Sequence, residues 1–219
     1  MIINFEPILV NLLRKKNIAT ISFNHHPFRK KVFEFIRLVK SEKNLILEDN
    51  ESYGLISAVL AVKKLKGDMA EVGVYKGGSA KLIAHYKGKH KLYLFDTFEG
   101  LPQSEMDFKK GQYKSSFGSV RDYLRRYQDI YIYKGLFPQS GQVIAKNRFS
   151  FVHLDLDLYK STYNSLEFFY PRMVKGGIIL SHDYLYSNTK IKKVFDKFFK
   201  NKPELVMGLP GYQCIITKR

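Results

Sequence analysis

Short apolar runs separated by helical segments constrain this chain more than any other feature. The runs lie at 69–74, 91–95, 130–133, 149–154 and 178–181, and they are rich in Val, Ile, Leu, Phe and Tyr. A strand covered by helices on both faces is apolar nearly throughout, whereas a half-exposed strand alternates apolar with polar residues. The pattern therefore predicts an α/β chain with a mostly parallel sheet and helices on both faces. Helices are expected at 28–41, 49–66, from the turn at Ser79 through Tyr86, and at 120–127, 162–170 and 191–199, with a last strand at 213–217. Asp49 or Asn50 is expected to cap the second helix, and Gly176-Gly177 to turn into the fifth strand.

A chain of 219 residues suits one such domain, here residues 49–219, behind a helical N-terminal extension of residues 1–48. Within the extension, residues 5–13 have the pattern of a short amphipathic helix. Packing on the domain is its expected role, and peripheral membrane contact is the alternative. No run approaches the roughly 18 apolar residues of a membrane-spanning helix, and the N-terminus lacks the charged and small-residue pattern of a leader. One cysteine, Cys214, leaves no internal disulfide and no cysteine-based zinc site. A cytoplasmic homo-oligomer is expected.

Parallel α/β sheets bind ligands beyond the C-terminal ends of their strands. The first run leads into Glu71-Val72-Gly73-Val74-Tyr75-Lys76-Gly77-Gly78-Ser79. Glycines in a strand-to-helix turn admit close backbone approach, and a helix N-terminus offers free N–H groups. The spacing is neither the Gly-x-Gly-x-x-Gly dinucleotide fingerprint nor a phosphate-binding loop ending in Gly-Lys-Ser/Thr. The second run ends at Asp96, about 20 residues past the glycine turn, where an acid is placed to accept ribose hydroxyls. The fourth run ends in Asp155-Leu156-Asp157 and the fifth in His182-Asp183. Adjacent strand ends would bring these carboxylates together, and a cation or a proton would then have to compensate them. Asp155, His182 and Asp183 are the candidate metal ligands. His182 and Asp157 are the candidate bases. The plainer alternatives are that Asp157 caps the following helix and that Asp183 opens a turn.

Five ordered segments, residues 70–80 (AEVGVYKGGSA), 94–102 (LFDTFEGLP), 134–138 (KGLFP), 153–162 (HLDLDLYKST) and 176–184 (GGIILSHDY), resemble the macrocin O-methyltransferase (TylF) family. The resemblance spans roughly residues 49–218. It implies a Rossmann-like class I methyltransferase fold, S-adenosylmethionine as methyl donor and a divalent metal, usually Mg2+. By the same resemblance, Glu71, Gly73, Tyr75, Gly77, Gly78 and Ser79 would cradle the methionine part of the cofactor. Asp96, with Thr97 and Phe98 beside it, would hold the ribose, and Asp155 would also border the cofactor. The segment 209–214 would border the acceptor pocket. Where the family has Asp-Asp-Tyr, this chain has His182-Asp183-Tyr184, so an imidazole replaces a carboxylate.

The implied activity is methyl transfer to a hydroxyl of a sugar or other small molecule, with the long segment 97–118 as a lid. The net charge of +17 (37 Lys and Arg against 20 Asp and Glu) raises a different reading, a non-catalytic basic nucleotide- or nucleic-acid-binding protein. Paired acids at the strand ends oppose a phosphate-binding site. An anionic small-molecule acceptor reconciles the two observations, and nucleic acid is not the expected partner.

Overall fold

The computed structural model describes residues 27–219; the segment 5–13 lies outside them. The elements run α1 Pro27–Ser41, α2 Asp49–Ala61, β1 Asp68–Val72, α3 Gly78–Tyr86, β2 Leu92–Asp96, α4 Phe117–Leu124, β3 Ile130–Lys134, β4 Phe149–Leu154, α5 Tyr159–Phe169, β5 Met173–Ser181, α6 Ile191–Phe199, β6 Met207–Gly208 and β7 Cys214–Thr217. The seven strands form one sheet in the order β3-β2-β1-β4-β5-β7-β6. The pairings from β3 to β5 are parallel, and β7 runs antiparallel to β5.

Strand alternation splits the core into two layers. On one face Phe33, Ile36, Leu55, Val59 and Leu82 of α1, α2 and α3 cover Leu94, Phe151 and Leu180. On the other, Leu166 and Phe169 of α5 and Phe195 and Phe199 of α6 cover Phe95, Val152 and Ile179. Neighbouring β4 residues serve opposite layers, which explains why the strand is apolar along its length. Truncating a Leu in either layer to Ala costs about 2–5 kcal/mol. Helix α6 shows how sequence sets the burial. Ile191, Val194, Phe195, Phe198 and Phe199 face the core, while Lys192, Lys193 and Lys197 face water.

Several boundaries shift from the sequence expectation, the helices expected at 120–127 and 162–170 each beginning three residues earlier, and three differences have a clear physical reason. Helix α2 stops at Ala61, and residues 62–66 continue as turns closed by Lys63 N–H on Leu60 O and Leu65 N–H on Val62 O. Its N-cap is Glu48 rather than Asp49 or Asn50; the Glu48 N–H donates to Glu51 Oε2 at 3.0 Å. Asp49 instead pairs with Lys40 at 2.7 Å, and Asn50 donates to Pro210 O at 2.9 Å. Gly176 and Gly177 lie inside β5, not before it. The β4 register jumps from Phe149↔Met173 to Phe151↔Ile178, so β5 bulges there. Gly176 takes φ +79°, and Lys218 bonds both glycines through its backbone. The chain's C-terminal end therefore holds this segment in the sheet.

The described part of the N-terminal extension packs onto the domain. Val32, Phe33, Ile36 and Val39 are buried in the first layer, and the segment after α1 crosses the C-terminal edge of the sheet.

Candidate active site

The strand order reverses between β1 and β4, which leaves a crevice at the C-terminal edge. Three bonds prolong the parallel ladder past the strand ends: Gly73 N–H to Phe95 O (3.0 Å), Asp155 N–H to Val72 O (3.0 Å) and His182 N–H to Leu154 O (2.9 Å). They set Gly73, Asp155 and His182 side by side. Above them lies a cavity of about 600 Å³, well within the range of small-molecule sites. Four residues just beyond strand ends have φ in the left-handed region: Tyr75 (+50°), Phe98 (+57°), Asp157 (+60°) and Asp183 (+62°). Each costs of order 1–3 kcal/mol, so strain concentrates around the crevice.

Glycine placement answers to the chain itself. A Cβ on Gly73 would fall 1.7 Å from Asp155 O, and one on Gly78 would fall 2.4 Å from Asn44 O. These positions let β4's end and the 44–45 segment close against the turn. Gly77, at φ +84°, is the N-cap of α3 and supplies no side-chain cap, so the first-turn amides keep no side-chain acceptor. Neither Gly77 nor Gly78 lines the cavity, whereas Gly73, Tyr75 and Ser79 do.

Asp96 lines the cavity at the end of β2 and is tied to the glycine turn. Its Oδ2 accepts the N–H groups of Val74 and Tyr75, each at 2.8 Å, and its Oδ1 accepts the Phe98 N–H at 2.6 Å. Carboxylate oxygens offer about two acceptor directions each, which leaves one on Oδ1. Thr97 lines the wall, its hydroxyl donating to Gly100 O at 2.7 Å. Phe98 points away into the core, edge-on to Phe117.

Glu71 lies beneath the site. Fully buried, it meets His153 across the β1–β4 ladder, with Oε1 2.8 Å from His153 Nδ1. It is absent from the cavity wall.

The β4 and β5 ends build the other half of the site. His182 Nδ1 lies 2.9 Å from Asp183 Oδ1 and 3.5 Å from Asp155 Oδ1, and Nε2 lies 3.3 Å from Glu51 Oε2. The Nε2 contact is close enough for an ion pair but not aligned as a hydrogen bond. Burial alone would lower the His182 pKa. The Asp155 charge, then the Asp183 hydrogen bond and the Glu51 contact, outweigh it and push it up to about 12. Burial raises Asp155 to about 6, with the Asp183 charge adding to it and His182 opposing. Burial, then the charges of Asp183 and Asp155, raise Asp157 to about 9. Glu51 goes the other way. Against its burial, His182 and the N–H groups of Tyr212 and Glu48 bring it down to about 2. Asp157 does not cap a helix: α5 begins at Tyr159 with Leu158 as N-cap. Asp183 does open a turn, its carbonyl accepting the Tyr186 N–H at 3.2 Å.

Two groups escaped the sequence reading. Glu51 was signalled by its position one turn before Leu55 on the buried stripe of α2, where an acid is out of place. Asp107 and Phe108 reach the cavity from the 97–116 segment, which folds over it through Leu101 N–H to Gln112 O (2.8 Å) and Gly111 N–H to Leu101 O (2.9 Å). Nothing in local sequence marks them. Tyr212, from the expected C-terminal border, stands edge-on to His182 and lines the cavity.

The sequence pattern of the macrocin O-methyltransferase (TylF) family matches residues 54–208, most of the chain. The chain belongs to this family. It is 30% identical over 156 residues to an 8-demethyl-8-(2,3-dimethoxy-alpha-L-rhamnosyl)-tetracenomycin-C 4'-O-methyltransferase of Streptomyces olivaceus, covering 62% of this chain and 59% of that protein. It is 26% identical over 139 residues to the demethyldecarbamoylnovobiocin O-methyltransferase of Streptomyces niveus, covering 54% of this chain and 53% of that one. The chain thus spans little more than half the length of these curated relatives. Among solved structures, the O-methyltransferase NovP superposes with a TM-score of 0.70 at 20% identity, over 80% of this chain and 82% of NovP. The fold is the Rossmann-like one of this family member's structural neighbours.

Proposed function

We propose that this TylF-family chain is an S-adenosylmethionine-dependent O-methyltransferase acting on a sugar hydroxyl of a small molecule. One observation carries the reading: the sign of the cavity. Glu48, Glu51, Asp96, Asp107, Asp155, Asp157 and Asp183 line it, and among the described residues no Lys or Arg does. Such a wall attracts a cationic sulfonium and repels phosphates. The curated relative named as a 4'-O-methyltransferase of a rhamnosyl-tetracenomycin supports the acceptor class.

When bound, S-adenosylmethionine supplies an electrophilic methyl group on a positively charged sulfur. Asp96 fixes the Val74-Tyr75 turn and keeps one acceptor direction for a ribose hydroxyl. Gly73 and Ser79 line the cavity beside it, where the methionine part would lie. The 97–116 segment covers the cavity as a lid and holds donor and acceptor together with water excluded.

The donor set at the β4 and β5 ends fits a divalent cation. Asp155, His182 and Asp183 offer ligand atoms within 4.8 Å of one another. When bound there, the ion would lower the pKa of an acceptor hydroxyl. Asp157 lines the cavity beside this set, and a bound cation would favour its ionised form, which can act as a base. We assign it the acceptor's proton. His182, with Nδ1 facing the two aspartates and Nε2 facing Glu51, orients rather than accepts.

Calorimetric titration with S-adenosylhomocysteine, S-adenosylmethionine and, for contrast, NAD tests the reading. Binding of the first two and not the third is expected. Failure to bind either sulfur compound would sink it.

A further inference from the structure

The imidazole that replaces a carboxylate at the end of β5 bears on which ion the site takes. We propose that the site selects a first-row transition-metal dication over Mg2+, with His182 as nitrogen ligand and Glu51 as the residue that positions it. The inference rests on the divalent-centre reading above and names the ion class and the residue that sets it.

Three observations lead there. First, Nδ1 of His182 faces the two aspartates, 2.9 Å from Asp183 Oδ1 and 3.5 Å from Asp155 Oδ1. Ligand atoms at these separations suit an ion bound at about 2.0–2.2 Å. Second, the opposite nitrogen, Nε2, is shut off from solvent and lies 3.3 Å from Glu51 Oε2. A ligating histidine characteristically hands its other N–H to a carboxylate, and Glu51 is the carboxylate within reach; aligning this 3.3 Å contact into a hydrogen bond would fix the ring and its tautomer. Third, Glu51 is itself immobilised. Its Oε1 accepts the Tyr212 N–H at 2.9 Å and its Oε2 the Glu48 N–H at 3.0 Å, at the start of a buried helix. A carboxylate so held can aim the imidazole.

Mg2+ favours an all-oxygen octahedron and keeps much of its water. Imidazole instead suits ions such as Zn2+, Fe2+ and Ni2+. Two carboxylates and one imidazole leave open positions, which an acceptor oxygen can occupy.

The test uses the full chain, stripped of metal with EDTA and titrated separately with Co2+ and Mg2+ by calorimetry. The visible absorption of Co2+ reports nitrogen ligation. Wild type should prefer Co2+ and show a ligand-field band. His182→Asp should lower the Co2+/Mg2+ affinity ratio at least about tenfold. Glu51→Gln should weaken Co2+ by about 10–100-fold and shift its band. Equal Co2+ and Mg2+ affinity in wild type overturns the proposal even if a variant fails to fold. So does a Co2+ band unchanged in both variants. Absence of Co2+ binding from a chain that still binds S-adenosylhomocysteine and transfers methyl overturns it too, while leaving the methyltransferase reading intact. Co2+ binding without S-adenosylhomocysteine binding does the reverse.

Discussion

The cavity and the outer surface of this chain carry opposite charge. The chain as a whole is at +17, and helix α6 turns Lys192, Lys193 and Lys197 to water. The cavity is walled by seven carboxylates, with His182 among them and no Lys or Arg from the described residues. Four of these acids lie at strand ends and three come from the start of α2 and the 97–116 segment, and their fields add inside a low-dielectric crevice. Net charge therefore reports what the surface meets, and the local wall reports what the site binds. A nucleic-acid-binding reading follows from the first alone and loses its support at the second.

The largest effect should come from the acidic wall. Asp155→Asn removes one charge from beside His182 with little change in shape. Methyl transfer should fall by at least about 100-fold, the scale of losing one preorganised electrostatic group, in a single-turnover assay. Activity within a factor of two of wild type would mean that the acid wall is not the reacting half of the site.

Next is the cofactor half. Asp96→Ala frees the three backbone N–H groups it now holds. Affinity for S-adenosylhomocysteine should drop at least about tenfold, or about 1.4 kcal/mol, measured by calorimetry. Unchanged affinity would assign Asp96 to neither turn nor ribose.

A third effect is on stability. Asp157's folded pKa, about 9, lies above the usual aspartate range. The folded chain therefore holds this proton more tightly than the unfolded one, and ionisation opposes folding. The opposition is absent below the usual range, grows as pH rises from about 4 and is complete above about 9. In metal-free protein Asp157→Asn should raise the melting temperature by about 3 °C or more at pH 8, with the gain fading toward pH 4. A gain independent of pH would refute the electrostatic origin.

The smallest effect should come from the surface. Charge reversal at Lys192, Lys193 and Lys197 together should leave S-adenosylhomocysteine affinity within about twofold, since exposed charges beyond a Debye length of about 8 Å are screened. Heparin retention should fall. A large loss of cofactor affinity would show that surface and cavity fields are not separable.

The parallel α/β plan was legible because strands with two buried faces must be apolar throughout, and helix α6 and strand β4 appear at the expected residues. The acids at the strand ends were legible too, since the C-terminal edge of such a sheet is where ligands bind. Other features depended on contacts far apart in sequence. Gly78 looks like a ligand-facing glycine, but its missing side chain makes room for Asn44, and Gly73, which does line the cavity, also makes room for Asp155. Glu71 looks like part of the turn, but the β-pleat sends it down to His153. Glu51 joins the site across 131 positions of chain to His182 only because α2 crosses the end of β5. Local sequence fixes period and polarity, and hence the elements and their faces. Which side chains meet across the strand ends is settled by register and crossover, and these belong to the assembled sheet.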